Sequence, residues 1–201
     1  MDHPSSYASA PAEKVFGLIL CGGASRRMGA VDKAELILSE RRMVDVAVET
    51  LCAQLSPVLL SASHDYGLGL KTLPDLQSGP RGPVAGLYAA WQYMQENNYS
   101  AVITAPVDGP NLPNNLFSRL KAVGSSAVAR DDVGRHPCFG LWQLTDLSRA
   151  FAQLALDQSI SMNQLADLCG ATDVAWGGDD TFININTLED VAAFQSQARR
   201  T

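Results

Sequence analysis

The chain has 201 residues, 46% hydrophobic and only 18% charged, a balance that lets it bury a sizeable core and excludes global disorder. Its 15 Lys and Arg against 21 Asp and Glu give a net charge of −6, which disfavours nonspecific attachment to nucleic acid or anionic membrane. Cys21, Cys52, Cys138 and Cys169 are too widely spaced for a zinc cage or a dense disulfide framework, and no apolar run reaches the ~18 residues of a membrane span. Reduced thiols and a cytoplasmic location are therefore expected, and any phosphate-bearing ligand must find a local positive site.

Residues 1–13, rich in Ser, Ala and Pro, are expected to be a flexible tail ahead of one domain over residues 14–201. Val15 to Leu20 is an apolar run ending at Cys21-Gly22-Gly23, the pattern of a buried strand opening into a glycine-rich loop. Helical spacing of Val44, Ala47, Val48, Leu51, Cys52 and Leu55 predicts a helix from Met43 to Leu55, closed by Pro57, and Val58 to Leu60 resumes as a strand. Pro83 can open a helix carrying Val84, Leu87, Tyr88, Trp91 and Met94, and Ala101 to Ala105 makes another buried strand. Pro113 can open a third helix through Leu116, Phe117 and Leu120, followed by strands at Ala127 to Ala129 and Cys138 to Trp142. Helical spacing returns at Leu147 to Leu156 and at Met162 to Leu168, where Gly170 is placed to terminate the helix. Thr187-Leu188-Glu189-Asp190 reads as a capping box for a last helix to about Ala198. Strand and helix alternate without an internal repeat, which predicts a three-layer α/β domain with a mainly parallel sheet.

In such sheets ligands sit at the carboxyl ends of the strands, where the unusual residues of this chain fall. The stretch from Leu20 to Lys33 combines glycines, which let backbone N–H groups approach phosphate oxygens, with the cations Arg27 and Lys33. It reads as a triphosphate cradle or as a glycine turn with solvated arginines. It is neither GxGxxG nor a P-loop, so a dinucleotide fold and a P-loop GTPase are not supported. Asp108, just past a buried strand and before Gly109-Pro110, suits a magnesium ion that takes one carboxylate plus phosphates and water, and equally suits a turn. Asp75 follows the apolar run Leu70 to Leu73, and Gly79-Pro80-Arg81-Gly82-Pro83 leads into a helix N-terminus able to face an anion or a polar base. His136 can donate to a phosphate or serve as a hydrogen-bonded turn residue.

The glycine-rich start, Gly82-Pro83-Val84-Ala85-Gly86-Leu87, Asp108-Gly109-Pro110, Arg135-His136-Pro137 and Asn184-Ile185-Asn186-Thr187 together resemble the molybdenum cofactor guanylyltransferases, from about Val15 to Gln195. The resemblance implies a single Rossmann-like α/β/α nucleotidyltransferase domain that transfers GMP from GTP to molybdenum-loaded molybdopterin, releasing pyrophosphate. It implies that Leu20, Cys21, Gly22 and Gly23 contact the nucleotide, that Arg27 and Lys33 lie on its phosphates, and that Asp75 belongs to the GTP pocket. By the same resemblance Ser61 stands near the nucleotide, where some relatives carry asparagine, and Asp108 binds Mg2+ and contacts the nucleotide. His136, Asn184 and Asn186 fall where the molybdopterin side is expected. The segment Asp157 to Met162 lacks an arginine that many relatives have there.

Cytidylyltransferases of the same kind have Ala-Ala-Gly in place of Cys21-Gly22-Gly23, which favours guanine here. Expected partners are the two substrates, with transient contact to molybdopterin-loading proteins or recipient molybdoenzymes, and neither nucleic acid nor membrane. The alternatives are a cytidylyltransferase or sugar-phosphate nucleotidyltransferase, or a noncatalytic nucleotide-binding adaptor.

Overall fold

The computed structural model of the chain describes residues 13–22, 32–155, 159–177 and 181–198. Gly23 and Arg27 of the expected cradle, Asp157 and Gln158, and residues 1–12 of the expected tail lie outside the described residues.

The strands are β1 (Val15–Leu20), β2 (Ile37–Leu38), β3 (Arg41–Arg42), β4 (Val58–Ser61), β5 (Ala101–Pro106), β6 (Ala127–Arg130), β7 (Arg135–Gln143) and β8 (Thr172–Ala175). Six of them form one sheet in the order β4-β1-β5-β7-β6-β8, and β2 and β3 form a separate two-stranded hairpin. β1 runs parallel to both β4 and β5, and β6 parallel to β8; β7 is antiparallel to its neighbours β5 and β6. The sheet is thus mainly parallel with one reversed strand.

The helices are α1 (Met43–Cys52), α2 (Val84–Asn97), α3 (Leu116–Lys121), α4 (Leu144–Phe151), α5 (Met162–Cys169) and α6 (Leu188–Ala198). The central strands are apolar at nearly every position because both faces are covered, and successive residues serve opposite layers. Ile19, Leu60, Ile103, Ala129 and Leu141 pack with Met43, Val44 and Leu51 of α1, Leu116 and Leu120 of α3, and Val191 and Phe194 of α6. Phe16, Leu18, Leu59, Val102, Val128 and Trp142 pack with Leu87 and Met94 of α2, Leu147 and Phe151 of α4, and Leu165 of α5.

Gly17 is small for a packing reason: a β-carbon there would stand 2.8 Å from Leu51 Cδ2, pushing α1 off the sheet. The α5 boundaries follow local chemistry. Ser161 and Gln164 form a capping box at its start, and Gly170 ends it in the left-handed region at φ 66°. At α6, Thr187 Oγ1 accepts from Asp190 N–H at 3.1 Å while Asp190 Oδ2 accepts from Thr187 N–H at 2.8 Å, which is the reciprocal pair expected from the sequence.

Parallel pairing aligns the carboxyl ends of three strands. Leu20 is in register with Ser61 on one side and with Pro106 on the other. Pairing continues one residue beyond, with Cys21 N–H donating to Ser61 O (3.2 Å) and Val107 N–H to Leu20 O (3.1 Å). Among the described residues no helix is long and apolar enough to cross a membrane.

Candidate active site

These three aligned strand ends form the floor of a cavity of about 480 Å³, within the ~300–1,000 Å³ usual for small-molecule sites. Leu20, Ser61 and Pro106 are joined in its lining by Cys21, Gly22, Lys33, Asp75, Val107, Asp108 and Cys138, and by Gly82, Pro83 and Gly86 at the start of α2. Gly82 has φ 77°, a left-handed conformation that a side chain would strain, and it lets the chain turn into α2. Gly86 is needed for a different reason. A β-carbon on it would stand 2.2 Å from Ser61 Oγ, so the first turn of α2 reaches the end of β4 only because that side chain is absent.

Lys33 opens a one-turn 3-10 helix, Lys33–Glu35, capped by Asp32 Oδ1, which accepts the Ala34 N–H at 3.0 Å. The other Asp32 oxygen accepts from Tyr66 O–H at 3.1 Å. Arg42 braces the same turn, donating to Tyr66 O (3.0 Å) and Glu35 (3.2 Å) while gripping both Asp45 oxygens at 2.7 and 2.8 Å. Arg42 is first among the groups that hold the Asp45 carboxyl below the usual carboxylate range.

From this braced turn Lys33 Nζ donates to Asp108 Oδ2 at 2.7 Å and to Asn186 Oδ1 at 2.8 Å. Residues separated by 75 and 153 positions therefore meet at one ammonium. Asp108 leaves β5 on a loop whose carbonyl accepts the Ile185 N–H at 2.8 Å, which ties the segment before α6 to the cavity edge. Gly109 lets that loop lie against Phe139, whose Cζ would be 2.5 Å from a β-carbon at this position.

Asp75 keeps solvent access, yet desolvation pushes its carboxyl above the usual range. Both hold in a concave wall, where neighbouring groups displace water around a carboxylate without covering it. The Cys21 thiol is pushed up to about 12 by burial and by Asp32, and the Cys138 thiol to about 12 by burial and by Asp108. Thiols raised in this way are poor nucleophiles at neutral pH.

The structure thus brings together Leu20, Cys21, Gly22, Lys33, Ser61, Asp75, Asp108 and, through Lys33, Asn186. Asn184 is exposed, one residue before the fully buried Ile185. His136 does not line the cavity. Its ring stacks on Phe182, with centroids 4.8 Å apart, and Nε2 stands 2.8 Å from Oδ1 of the buried Asp131. That nitrogen makes no well-directed hydrogen bond despite the short separation. Burial alone would raise the Asp131 carboxyl; His136 and the N–H groups of Gly134 and Val133 outweigh it and hold the carboxyl below the usual range. Sequence reading missed Cys138, which looked like one more apolar strand residue, and the particular part played by Gly86. Among the described residues no three His, Cys, Asp or Glu side chains form a metal-holding group.

The sequence model of the MobA-like NTP transferase domain matches residues 17–168 of this chain. A molybdenum cofactor guanylyltransferase from Cereibacter sphaeroides is 36% identical over 193 residues, covering 93% of this chain and 98% of its own. Another of that name, from Acidiphilium cryptum, is 34% identical over 184 residues, with coverage of 89% and 93%. The crystal structure of molybdopterin-guanine dinucleotide biosynthesis protein A from Archaeoglobus fulgidus superposes with a TM-score of 0.67 over 92% of this chain and all of its own. At 16% identity, that likeness is one of fold.

Proposed function

The chain belongs to the molybdenum cofactor guanylyltransferases of the MobA-like NTP transferase family, and we propose that it transfers GMP from GTP to molybdenum-loaded molybdopterin with release of pyrophosphate. It is a nucleotidyltransferase. The observation that carries the finer reading is the convergence of Lys33, Asp108 and Asn186 at the edge of a cavity floored by three strand ends.

In the proposed reaction an oxygen of the molybdopterin terminal phosphate attacks the α-phosphorus of GTP, a new P–O bond forms, and the bond to pyrophosphate breaks. Both reactants are anions, so the protein's work is to align them and to offset the charge that develops on the leaving group. Leu20, Cys21, Gly22 and Gly23 would receive the nucleotide, with Ser61 and Asp75 on the wall beside it and Arg27 and Lys33 on the phosphates. The protonated thiols of Cys21 and Cys138 favour direct transfer over a covalent enzyme intermediate.

The reaction class uses a divalent metal, and the donor chemistry suits magnesium, which accepts one or two carboxylates and completes its shell with phosphate oxygens and water. Asp108 would hold it, with Asp75 as the other carboxylate in the lining. When bound, the metal would neutralise phosphate charge. Lys33, beside Asp108, would donate to a phosphate oxygen.

On the acceptor side Asn184 and Asn186 are proposed to meet the molybdopterin, and His136 to support that side through Phe182 from its place beside Asp131. A cytoplasmic setting, suited to four free thiols, and transient contacts with loading proteins or recipient molybdoenzymes belong to the same proposal. The test is to incubate the protein with magnesium, each of the four nucleoside triphosphates and loaded molybdopterin, and to weigh the product. A guanine dinucleotide supports the reading. A cytosine dinucleotide formed as fast or faster moves the chain to the sister activity, and binding without any product points to an adaptor.

A further inference from the structure

A capping box explains one hydrogen bond from the third residue of a helix back to the residue that caps it. Asp190 makes two. Its Oδ2 accepts the Thr187 N–H at 2.8 Å and also the Asn186 N–H, one residue farther out, at 2.7 Å. These N–H groups are the leading causes that hold the Asp190 carboxyl below the usual range. On the other side of Asn186, the Ile185 N–H is anchored on Asp108 O at 2.8 Å, and the Ile185 side chain is fully buried. The backbone on both sides of Asn186 is therefore pinned, and the amide oxygen it carries is the one that accepts from Lys33 Nζ.

From this geometry we infer that Asp190 is a positioning residue which, acting through Asn186, fixes where the Lys33 ammonium stands. The inference rests on the proposed role of Lys33 at the triphosphate. A lysine ends a flexible stem with many rotamers, and holding its head in one place before substrate arrives reduces the ordering that binding must supply. Asp108 cannot hold it throughout, because that carboxylate is also the proposed metal ligand. Asn186 can. A neutral amide oxygen keeps its hydrogen bond to the ammonium without cancelling the positive charge that the phosphates require. The position of that amide depends in turn on Asp190.

The test uses the full chain and calorimetric binding of GTP and of inorganic tripolyphosphate, each with magnesium. Asp190→Ala should weaken both ligands about tenfold, whereas Asp190→Asn, which keeps an acceptor oxygen, should stay within about threefold of wild type. Thr187→Ala removes the other half of the helix cap, so it should lower the melting temperature as Asp190→Ala does while leaving both affinities within about twofold. In an Asn186→Ala background, Asp190→Ala should add nothing further to the affinity loss. Equal affinity losses for Asp190→Ala and Thr187→Ala would reduce Asp190 to a cap, and a full additional loss on top of Asn186→Ala would overturn the route through Asn186. Wild-type protein that binds tripolyphosphate but not GTP overturns the guanylyl reading instead, and the same variants compared on tripolyphosphate still decide the role of Asp190.

Discussion

Replacing Gly86 with alanine perturbs the wall between α2 and β4 at one atom. The added carbon would lie 2.2 Å from Ser61 Oγ, 3.1 Å from Ser61 Cβ and 3.5 Å from Leu20 Cδ2, and Ser61 is only 4% exposed. Helix propensity favours alanine by about 1 kcal/mol in the first turn, whereas an overpacked contact costs about 1–3 kcal/mol. With Ser61 buried, its hydroxyl must give way at a cost or the first turn of α2 must shift to make room. The net expectation is a loss of up to about 2 kcal/mol, read as a fall in melting temperature of up to about 4–8 °C for a domain of this size. Because that turn carries Gly82 and Pro83 into the cavity, nucleotide KM should rise about tenfold.

A double-mutant cycle with Ser61→Ala isolates the contact to the hydroxyl. Without the hydroxyl the 2.2 Å contact disappears, and Gly86→Ala should then cost about 1–2 kcal/mol less than in the wild type. Equal destabilisation in both backgrounds, or wild-type stability and KM in Gly86→Ala alone, would refute the assignment of Ser61 as the limiting neighbour.

Other outcomes follow from the same geometry. Lys33→Ala should reduce turnover or GTP affinity at least about tenfold in steady-state assays while changing stability by about 1 kcal/mol or less, since the ion pair with Asp108 is partly exposed. Asp108→Asn should fold normally but need more magnesium, so a magnesium titration of turnover identical to wild type would count against metal binding there. Asp131 has a depressed carboxyl, so its contribution to stability is full above the ordinary carboxylate value of 3.8 and is lost as pH falls through the lower folded value. Asp131→Asn should accordingly be destabilising at pH 7 by about 1–3 kcal/mol, and the difference from wild type in urea melts should shrink below pH 4. Alkylation at pH 8 should label the exposed Cys52 well before Cys21 and Cys138, whose thiols are pushed up to about 12.

The strands and helices that were legible in the sequence are those whose burial forces a pattern. β1, β4 and β5 are apolar runs because both faces are covered, and α2 follows a proline because Pro83 pre-sets the turn. The elements that escaped have no such constraint. β8 is a mostly exposed edge strand without alternation. The β2–β3 hairpin is two residues long on each side and turns through Ser39 and Glu40 at positive φ, without the glycine or asparagine that usually marks such a bend.

At the site, Lys33, Asp75 and Asp108 stood out as polar residues beside glycines or just past apolar runs. Their grouping in space was not legible. Contact of Lys33 with Asn186 spans 153 positions and depends on the segment before α6 folding back onto the Asp108 loop. His136 carried a motif signal but not its surroundings, since the stacking on Phe182 and the approach to Asp131 are long-range or hairpin features.

Guanylyl transfer is measured by following a phosphorus label with GTP and CTP side by side, using purified protein, magnesium and loaded molybdopterin. Label at the α-phosphate of GTP should pass into the cofactor, label at the γ-phosphate should leave as pyrophosphate, no label should remain on denatured protein, and CTP should transfer far more slowly. Transfer from CTP at an equal or greater rate, or α-label retained covalently on the protein, would contradict guanylyl transfer by direct attack at this site.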